Sequence, residues 1–344
     1  MDRRSLLLAA ACSPLAAGPA SAAPVGDALR RPALAVRRPE RAVLLSLARA
    51  GGRLVAVGER GIVALSDDQG AHWRQAACPV SVTLTTVRFA DARHGVAVGH
   101  GGAVLTTADG GDTWALRLDG RRVAELARAA ATTPEAAREA ERLVADGPDK
   151  PFLDVLAWDA QRLLAVGAFG LAAYTADGGA TWASWIARLP NAKALHWYVA
   201  RRAGDTVLLA GEQGLLARSD DGGASFKAMP SPYKGSWFAG ELAADGRVLL
   251  AGLRGNVWRS ADGGATWAQV ASPLPASITA ALALPSGGLL LASQSGALLR
   301  LQGETLTPLP GAPLPLPAAL LAGREGQVLV AGVAGIVAWP EALR

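Results

Sequence analysis

The stretch HGVAVGHGGAVLTTADGGDTW (94–114) contains the unit from which the chain is built. A run of β-forming residues leads into a Gly-x-x-Gly turn, a second such run follows, and the unit ends in Thr-x-Asp-Gly-Gly-x-Thr-Trp. The same order recurs in stretches that begin at 53, 162, 206 and 247, and in two shortened copies that begin at 288 and 327. Short β-forming runs separated by glycine turns predict antiparallel strands joined by hairpins.

The second glycine of each Gly-x-x-Gly turn measures the period of the repeat. It falls at 61, 102, 170, 214, 255, 296 and 335, so the intervals are 41, 68, 44, 41, 41 and 39 residues. A period near 41 with four short strands per unit is typical of a propeller blade. We therefore predict an all-β, seven-bladed β-propeller of four-stranded blades. Because the last copy ends after its third strand, we expect the segment Ala33–Arg37 to supply the missing outer strand and close the ring.

The long second interval reflects an insertion at about 118–150, between blades two and three. Its sequence predicts a short helical insertion of two helices, with Thr133 capping the second and Pro134 at its first position. Each helix has an apolar stripe, formed by Val123, Leu126, Ala127 and Ala130 in the first and by Ala136, Ala140, Leu143 and Val144 in the second. The stripes indicate either helices packed on the propeller or an arm that docks on a partner.

The first 22 residues resemble a secretory signal peptide. Arg3 and Arg4 precede an apolar run and an Ala-Ser-Ala cleavage site that ends at Ala22. We predict a signal peptide at 1–22, a propeller at 23–344 and an exported, periplasmic protein. The paired arginines loosely resemble a twin-arginine signal, whereas the residues before Cys12 make a poor lipoprotein site.

The composition excludes several classes of function. Cys78 is the one cysteine left after cleavage, so no internal disulfide can form. The four histidines have no metal-ligand spacing, and no glycine loop precedes a helix as a phosphate site requires. The net charge of +5 comes from scattered arginines, which argues against nucleic acid. We expect no metal, no cofactor and no small-molecule substrate, and a monomer.

The Asp of the repeated turn is the obvious catalytic candidate, yet the pattern favours a structural role. Its carboxylate suits hydrogen bonds with turn N–H groups and with the Ser or Thr two residues earlier. The five copies lie on five different blades and cannot converge on one substrate. The predicted structural residues are Asp68, Asp109, Asp177, Asp221 and Asp262, with Trp73, Trp114, Trp182, Phe226 and Trp267 at the ends of the turns.

Strand alternation assigns the turns to two faces. The turns between the first and second strands and between the third and fourth strands lie on one face. We call it the Asp-box face, because it holds the repeated Asp turns. The Gly-x-x-Gly turns and the crossovers between blades lie on the opposite face, which we call the Gly-x-x-Gly face. The variable turn residues and two aromatic–basic crossovers on this second face predict a partner-binding surface. Its candidate residues are Arg60, His100, Phe169, Gln213, Arg254, Lys193, His196, Trp197, Tyr198, Tyr233, Lys234 and Trp237. Free drift of the turn residues, and packing of the rings between blades, are the alternatives.

The repeat resembles the Asp-box, or bacterial neuraminidase repeat, which sialidases contain. Those enzymes have a central Arg triad and a Tyr–Glu nucleophile pair, which this chain would have to match with Tyr198 and Glu241. Because Arg88 is the one arginine that we predict on the inner strands, the triad is absent. A glycan-binding protein or sialidase-like glycoside hydrolase remains the alternative function.

VAVGxxG, a β run and [ST]-x-DGG-x-TW, repeated at a period near 41 behind a signal peptide, resemble the photosystem II stability and assembly factors of chloroplasts and cyanobacteria. That resemblance implies a non-enzymatic seven-bladed propeller that binds a protein partner and assists assembly, stability or operation of a membrane complex. The composition is closer to the heterotrophic proteobacterial branch, for which a resistance-nodulation-division exporter is a candidate partner.

Overall fold

The computed structural model describes residues 27–284, 287–324 and 326–339, so the predicted signal peptide 1–22 lies outside the described residues. Seven antiparallel sheets follow one another along the chain, and within each sheet the strands pair in chain order. The predicted seven-bladed β-propeller is confirmed, and so are the two helices between blades two and three.

The first four blades and the helical insertion occupy residues 44–228. Blade one contains β1 (Leu44–Ala50), β2 (Arg53–Gly58), β3 (Val63–Ser66) and β4 (Arg74–Gln75). Blade two contains β5 (Leu84–Phe89), β6 (Gly95–Gly99), β7 (Val104–Thr107) and β8 (Ala115–Leu118), and is followed by α1 (Gly120–Ala130) and α2 (Pro134–Asp146). Blade three contains β9 (Phe152–Ala157), β10 (Leu163–Gly167), β11 (Ala172–Thr175) and β12 (Ala183–Ser184). Blade four contains β13 (Trp197–Ala203), β14 (Thr206–Gly211), β15 (Leu216–Ser219) and β16 (Lys227–Ala228).

The last three blades complete the ring. Blade five contains β17 (Trp237–Leu242), β18 (Val248–Gly252), β19 (Val257–Ser260) and β20 (Ala268–Val270). Blade six contains β21 (Ile278–Ala283), β22 (Leu289–Ser293), β23 (Leu298–Gln302) and β24 (Thr305–Pro308). Blade seven contains β25 (Pro317–Ala322), β26 (Val328–Gly332) and β27 (Gly335–Trp339). The first strands of successive blades contact one another around the ring and surround the central channel.

The core consists of layers between neighbouring blades. Second strands such as β2 and β10 are almost wholly buried, because each sheet is covered on both faces by its neighbours. This explains their continuous apolar runs, since a strand buried on both faces does not alternate. Blade one also packs on blade seven, where Leu44 and Leu54 lie in one cluster with Leu329. Packing of these two sheets therefore joins the ends of the ring.

The predicted closing strand is wrong. Blade seven has three strands in the described residues, and Ala33–Arg37 belongs to no sheet. Its backbone partners lie on blade one and just after it: the N–H of Val36 donates to Oε1 of Gln75 at 2.8 Å, and the N–H of Ala33 donates to the carbonyl of Cys78 at 3.0 Å. These contacts attach the segment to blade one, and it forms no pairing with β27.

The helical insertion packs on the propeller through α1. Val123 and Ala127 are buried, and Val123 lies in the core cluster between blades two and three with Phe152. The N-cap predicted at Thr133 is present, with its hydroxyl accepting from the N–H of Ala136 at 3.2 Å. In contrast, Val144 of α2 is 41% exposed. The first helix is thus part of the fold, and the second packs mainly on the first.

Each Asp-box is closed by hydrogen bonds within its own turn. In blade three, Oδ1 of Asp177 accepts from the Thr175 hydroxyl at 2.7 Å and from the Thr181 N–H at 2.8 Å. The hydroxyl of Thr175 in turn accepts from the N–H of Gly179 at 3.0 Å. Hydrogen bonds from Thr181 and Thr175 lower the pKa of Asp177 to about 2. The same carboxylate bonds recur at Asp68, Asp109, Asp221 and Asp262.

The aromatic residues that end the boxes pack between sheets. The indole N–H groups of Trp73, Trp114 and Trp182 each donate to the carbonyl of the second box glycine. Within the described residues, the indole N–H of Trp267 has no such partner. These contacts all lie inside the turn or between blades. The role of the box residues is therefore to stabilise the fold.

Thr175→Val is expected to lower the free energy of unfolding by about 2 kcal/mol, because it leaves the buried N–H of Gly179 without an acceptor. Thr181→Val is the matched control, since Thr181 is exposed and water replaces its hydroxyl contact. We expect its effect to stay below about 1 kcal/mol. Denaturant titration of both variants measures the difference. Equal losses would show that the buried hydroxyl is not the element that holds the turn.

Candidate functional site

The Gly-x-x-Gly turns share one backbone geometry, shown here for blade one. A Cβ on Gly58 would lie 2.0 Å from the carbonyl oxygen of Val43, so the turn needs glycine to approach the start of β1. The N–H of Glu59 donates to that same carbonyl at 2.9 Å. These contacts place the turns beside the crossovers, as strand alternation requires of the Gly-x-x-Gly face.

The third residue of these turns has left-handed backbone even where it is not glycine. The φ angles are 53° for Arg60, 54° for Phe169, 53° for Gln213 and 57° for Arg254. A side chain in this region costs conformational energy and is uncommon outside glycine, asparagine and aspartate. The left-handed residue is exposed in each case, so blades one, three, four and five each present one such side chain to solvent.

An aromatic row crosses this face from blade three to blade five, and we define it as Phe169, His196, Tyr198 and Phe238. The ring centroids lie 4.8 Å apart for the first pair, 5.9 Å for the second and 5.3 Å for the third. Phe169 at the outer end is 51% exposed. The row combines the turn of blade three with the first strands of blades four and five.

Charged groups support the outer end of the row. Nζ of Lys150 lies 5.4 Å from the centroid of Phe169, within the range of a cation–π contact. His196 donates from its backbone N–H to Glu212 Oε2 at 3.1 Å, and its Nδ1 lies 2.6 Å from the same oxygen. Burial alone would raise the pKa of Glu212, but these hydrogen bonds hold it below its usual value. The anionic Glu212 therefore fixes the orientation of the His196 ring.

The structure separates the predicted partner-binding residues into three groups. Arg60, His100, Phe169, Gln213, Arg254, Lys193 and Lys234 are exposed on the Gly-x-x-Gly face. His196, Tyr198 and Tyr233 are partly exposed. Trp197 and Trp237 are fully buried, so their assignment to a partner surface is wrong. Each Trp begins the first strand of its blade and packs in an inter-blade cluster.

A cluster of four charged side chains beside the channel was not found from the sequence, and we call it the inner charge cluster. It comprises Arg88 on β5, Asp154 on β9, Arg201 on β13 and Glu241 on β17. Arg88 Nη2 donates to Asp154 Oδ1 at 3.3 Å, and Arg201 Nη1 donates to Asp154 Oδ2 at 2.6 Å. Arg88, Arg201 and Glu241 occupy the same position of their first strands, whereas Asp154 lies two residues earlier in its own strand. Alignment of the repeats therefore does not bring the four charges to one position.

Asp154 is the centre of the cluster and its side chain is 4% exposed. Its carboxylate also accepts from the N–H groups of Ala200 at 3.0 Å and Val155 at 2.9 Å. Although burial alone would raise the pKa of Asp154, Arg88 and Arg201 hold it below its usual value. Burial raises the pKa of Glu241, against the opposing effect of the two arginines. The arginines are thus committed to an internal carboxylate.

The expectation that Arg88 is the one inner-strand arginine is also wrong. β1 contains Arg49, and β13 continues to Ala203 and so contains Arg201 and Arg202. Even so, Arg201 donates to Asp154 and, through Nε, to the carbonyl of Gly240 at 2.7 Å. Arg49 donates to the carbonyl of Ala322 at 2.6 Å. These contacts connect neighbouring blades. Among the described residues, the arginines therefore do not converge into a triad.

Other kinds of site are not evident in the described part of the chain. No group of three or more His, Cys, Asp and Glu side chains is arranged there to hold a metal ion. Burial raises the pKa of the Cys78 thiol to about 11, which leaves it protonated and unreactive at neutral pH. None of the helices described there is long and apolar enough to span a bilayer.

The fold defines a seven-bladed β-propeller with two helices inserted between blades two and three. Residues 65–129, which run from β3 into α1, match the family model described as photosynthesis system II assembly factor YCF48. The resemblance to photosystem II assembly factors that the repeat suggested is thus confirmed over this stretch. None of the curated proteins compared with the chain matches its sequence.

Solved structures extend the similarity of fold to almost the whole chain. "YCF48 bound to D1 peptide" is 18% identical, with a TM-score of 0.64, and the match covers 90% of this chain and 98% of that one. YCF48 from Cyanidioschyzon merolae is 14% identical, with a TM-score of 0.63 and coverage of 87% and 95%. A streptogramin B lyase is 11% identical, with a TM-score of 0.66 and coverage of 90% and 98%. At these identities the likeness concerns the fold.

Proposed function

We propose that this protein is a non-enzymatic, exported propeller that binds a segment of a protein partner on its Gly-x-x-Gly face, across the aromatic row. The partner in this proposal is a membrane protein or complex, whose assembly, stability or operation the propeller assists in the periplasm. A photosystem subunit and a resistance-nodulation-division exporter are the two partners that the family resemblance suggests.

The aromatic row is the observation that carries the proposal. Its four rings lie on packed strands. Its outer ring belongs to Phe169, whose backbone has a left-handed conformation. Rigid aromatic side chains beside a cation are the residue types that dominate the energetics of protein interfaces. Lys150, at the end of the helical insertion, lies over the ring of Phe169 and is held there by an ion pair with Asp146. A row that spans three blades suits an extended segment better than a compact ligand.

The distribution of exposed apolar side chains supports the same face. In the described residues, large apolar side chains are exposed at Leu34, Val144, Phe169, Leu253, Leu316 and Val333. Apart from Val144 on α2, they lie on turns, crossovers or the N-terminal segment of the Gly-x-x-Gly face. Exposed apolar surface of this kind marks interaction sites. The solved propeller described as bound to a D1 peptide supports a protein segment as ligand for this fold.

Site-specific photocrosslinking in the native host tests the proposal. A photoreactive phenylalanine in place of Phe169 is expected to form an adduct with a membrane protein, because the outer ring of the row contacts the partner. The matched control places the same group at Arg93, an exposed residue in a turn of the Asp-box face. An adduct of equal yield at Arg93, or none at Phe169 and Tyr198, would contradict the proposal.

The geometry does not favour the glycoside hydrolase alternative. Burial and the charge of Glu212 raise the pKa of Tyr198, which opposes its use as a nucleophile. Within the described residues no hydrogen bond joins Tyr198 to Glu241, and Arg88 and Arg201 already hold Asp154. Turnover of a fluorogenic sialoside that Tyr198→Phe abolishes would overturn the non-enzymatic assignment.

A further inference from the structure

Blades seven and one present a second surface on the Gly-x-x-Gly face, away from the aromatic row. We define this amphipathic patch as Leu34, Arg38, Arg41, Arg60, Leu316 and Val333. Leu34 and the three arginines line one shallow groove of about 240 Å³. A Cβ on Gly335 would lie 2.7 Å from the Cα of Arg41, so the turn that contains Val333 is adjacent to that groove.

Leu316 completes the patch from the crossover before blade seven. Its carbonyl oxygen would lie 2.6 Å from a Cβ on Gly332, which places it beside the turn that contains Val333. Leu316 has a left-handed backbone, with φ 36°, and is 50% exposed. Leu34 is 65% exposed and Val333 is 43% exposed. The patch therefore combines three exposed apolar side chains with three arginines.

The patch has an excess of positive charge. Arg38 pairs with Glu40 at 3.0 Å. Within the described residues, Arg41 and Arg60 form no ion pair, and both are exposed. Arg37 is a further exposed cation beside the patch. Glu59 also lines the groove and accepts from the N–H of Val43 at 3.2 Å, so the arginines Arg37, Arg38, Arg41 and Arg60 outnumber the two nearby carboxylates of Glu40 and Glu59.

The Asp-box face has a more balanced set of charges. Arginines pair with many of the aspartates in its turns: Arg53 with Asp67 and Asp112, Arg162 with Asp159, Arg218 with Asp220 and Arg247 with Asp245. A molecule with excess positive charge and exposed apolar side chains on one face acquires a preferred orientation at a negatively charged surface. The exposed leucines add the apolar component that electrostatic attraction alone lacks.

We propose that the amphipathic patch docks on the surface of an anionic lipid bilayer. Exposed leucines beside unpaired arginines match the boundary between headgroups and acyl chains, where apolar groups insert shallowly and cations contact lipid phosphates. The proposal goes beyond the proposed function, because it concerns lipid and uses none of the residues of the aromatic row.

Vesicle co-sedimentation tests this docking with the protein purified without the predicted signal peptide. We expect binding to mixed phosphatidylcholine–phosphatidylglycerol vesicles and little binding to pure phosphatidylcholine. Arg41→Gln combined with Arg60→Gln should weaken binding about 25-fold, since each arginine near an anionic surface contributes about fivefold. Leu34→Ser combined with Leu316→Ser should weaken it as well and lower the binding that persists at high salt.

The matched control is Arg93→Gln with Arg247→Gln, two exposed arginines in Asp-box face turns, which gives the same change in net charge. It should leave vesicle binding within about twofold, because the Asp-box face is turned away from the lipid. Equal loss in both pairs would show unspecific attraction of a basic protein and overturn the proposal. Unchanged vesicle binding with loss of the photocrosslinked adduct would assign the patch to a protein partner and overturn it too.

Discussion

Asp154→Ala is expected to lower the free energy of unfolding by about 3–5 kcal/mol, because it removes the carboxylate from the inner charge cluster and leaves two arginines beside each other. Asp154 accepts from Arg88 at 3.3 Å and from Arg201 at 2.6 Å, and its side chain is 4% exposed. The Ala200 N–H would also lose its acceptor. Equilibrium denaturation with guanidinium chloride measures the loss.

Glu241→Gln is the matched control for Asp154→Ala. Glu241 belongs to the same cluster, yet within the described residues it forms no hydrogen bond or ion pair. We expect a change below about 1 kcal/mol. The pH dependence provides a second check: because the pKa of Asp154 is lowered in the folded state, its contribution is present above the unfolded pKa and is lost as the pH falls. Equal losses for the two variants would contradict a central role for Asp154.

Phe169→Ala and Tyr198→Ala are each expected to weaken binding of the photocrosslinked partner about 30-fold, or roughly 2 kcal/mol, because each removes a ring from the aromatic row. Tyr198→Phe should keep the affinity within about threefold, since the Tyr198 hydroxyl has no hydrogen-bond partner in the described residues and the ring contacts remain. Titration of the purified partner against each variant measures the affinities.

Leu253→Ala is the matched control for the row. Leu253 is 36% exposed in the corresponding turn of blade five, but it is not part of the row. We expect its replacement to change the affinity less than about twofold. A loss equal to that of Phe169→Ala would indicate that any exposed apolar turn residue contributes equally. In that case the row would not be the binding site.

The repeat allowed most of the fold to be predicted, because each blade contains its own turn chemistry. The glycines of 99–102 and the box at 107–114 specify hairpins locally, and the period near 41 specifies a ring. The closing strand was predicted wrongly because the segment Ala33–Arg37 has two blades, one and seven, on which its backbone could bind. Gln75 of blade one and Cys78 just after it bind the backbone of Ala33–Arg37, and no local pattern indicates which blade succeeds.

The sequence predicted the face on which the candidate site lies, but not which of its side chains contact one another. Sequence position placed Phe169 and His196 on the same face, whereas their stacking depends on the left-handed residue in blade three and on Glu212 orienting the imidazole. Trp197 was assigned to the surface because aromatic and basic residues surround it. In fact it begins β13, at the buried position where Leu44 begins β1. Alignment of these strand starts between repeats would have placed it correctly.

The inner charge cluster has a consequence for how a chain of near-identical repeats finds its correct neighbours. Blades of similar sequence can be exchanged during folding, and misassembly of this kind is a characteristic failure of repeat proteins. In the described strands, Asp154 has an arginine on either side only between blades two and four. The positions that match Arg88 and Arg201 hold Ala48 in blade one, Glu241 in blade five, Leu282 in blade six and Leu321 in blade seven. A wrong neighbour would bury Asp154 without a counter-ion. The cluster therefore favours the native order of the blades, because that order gives the buried Asp154 its counter-ions.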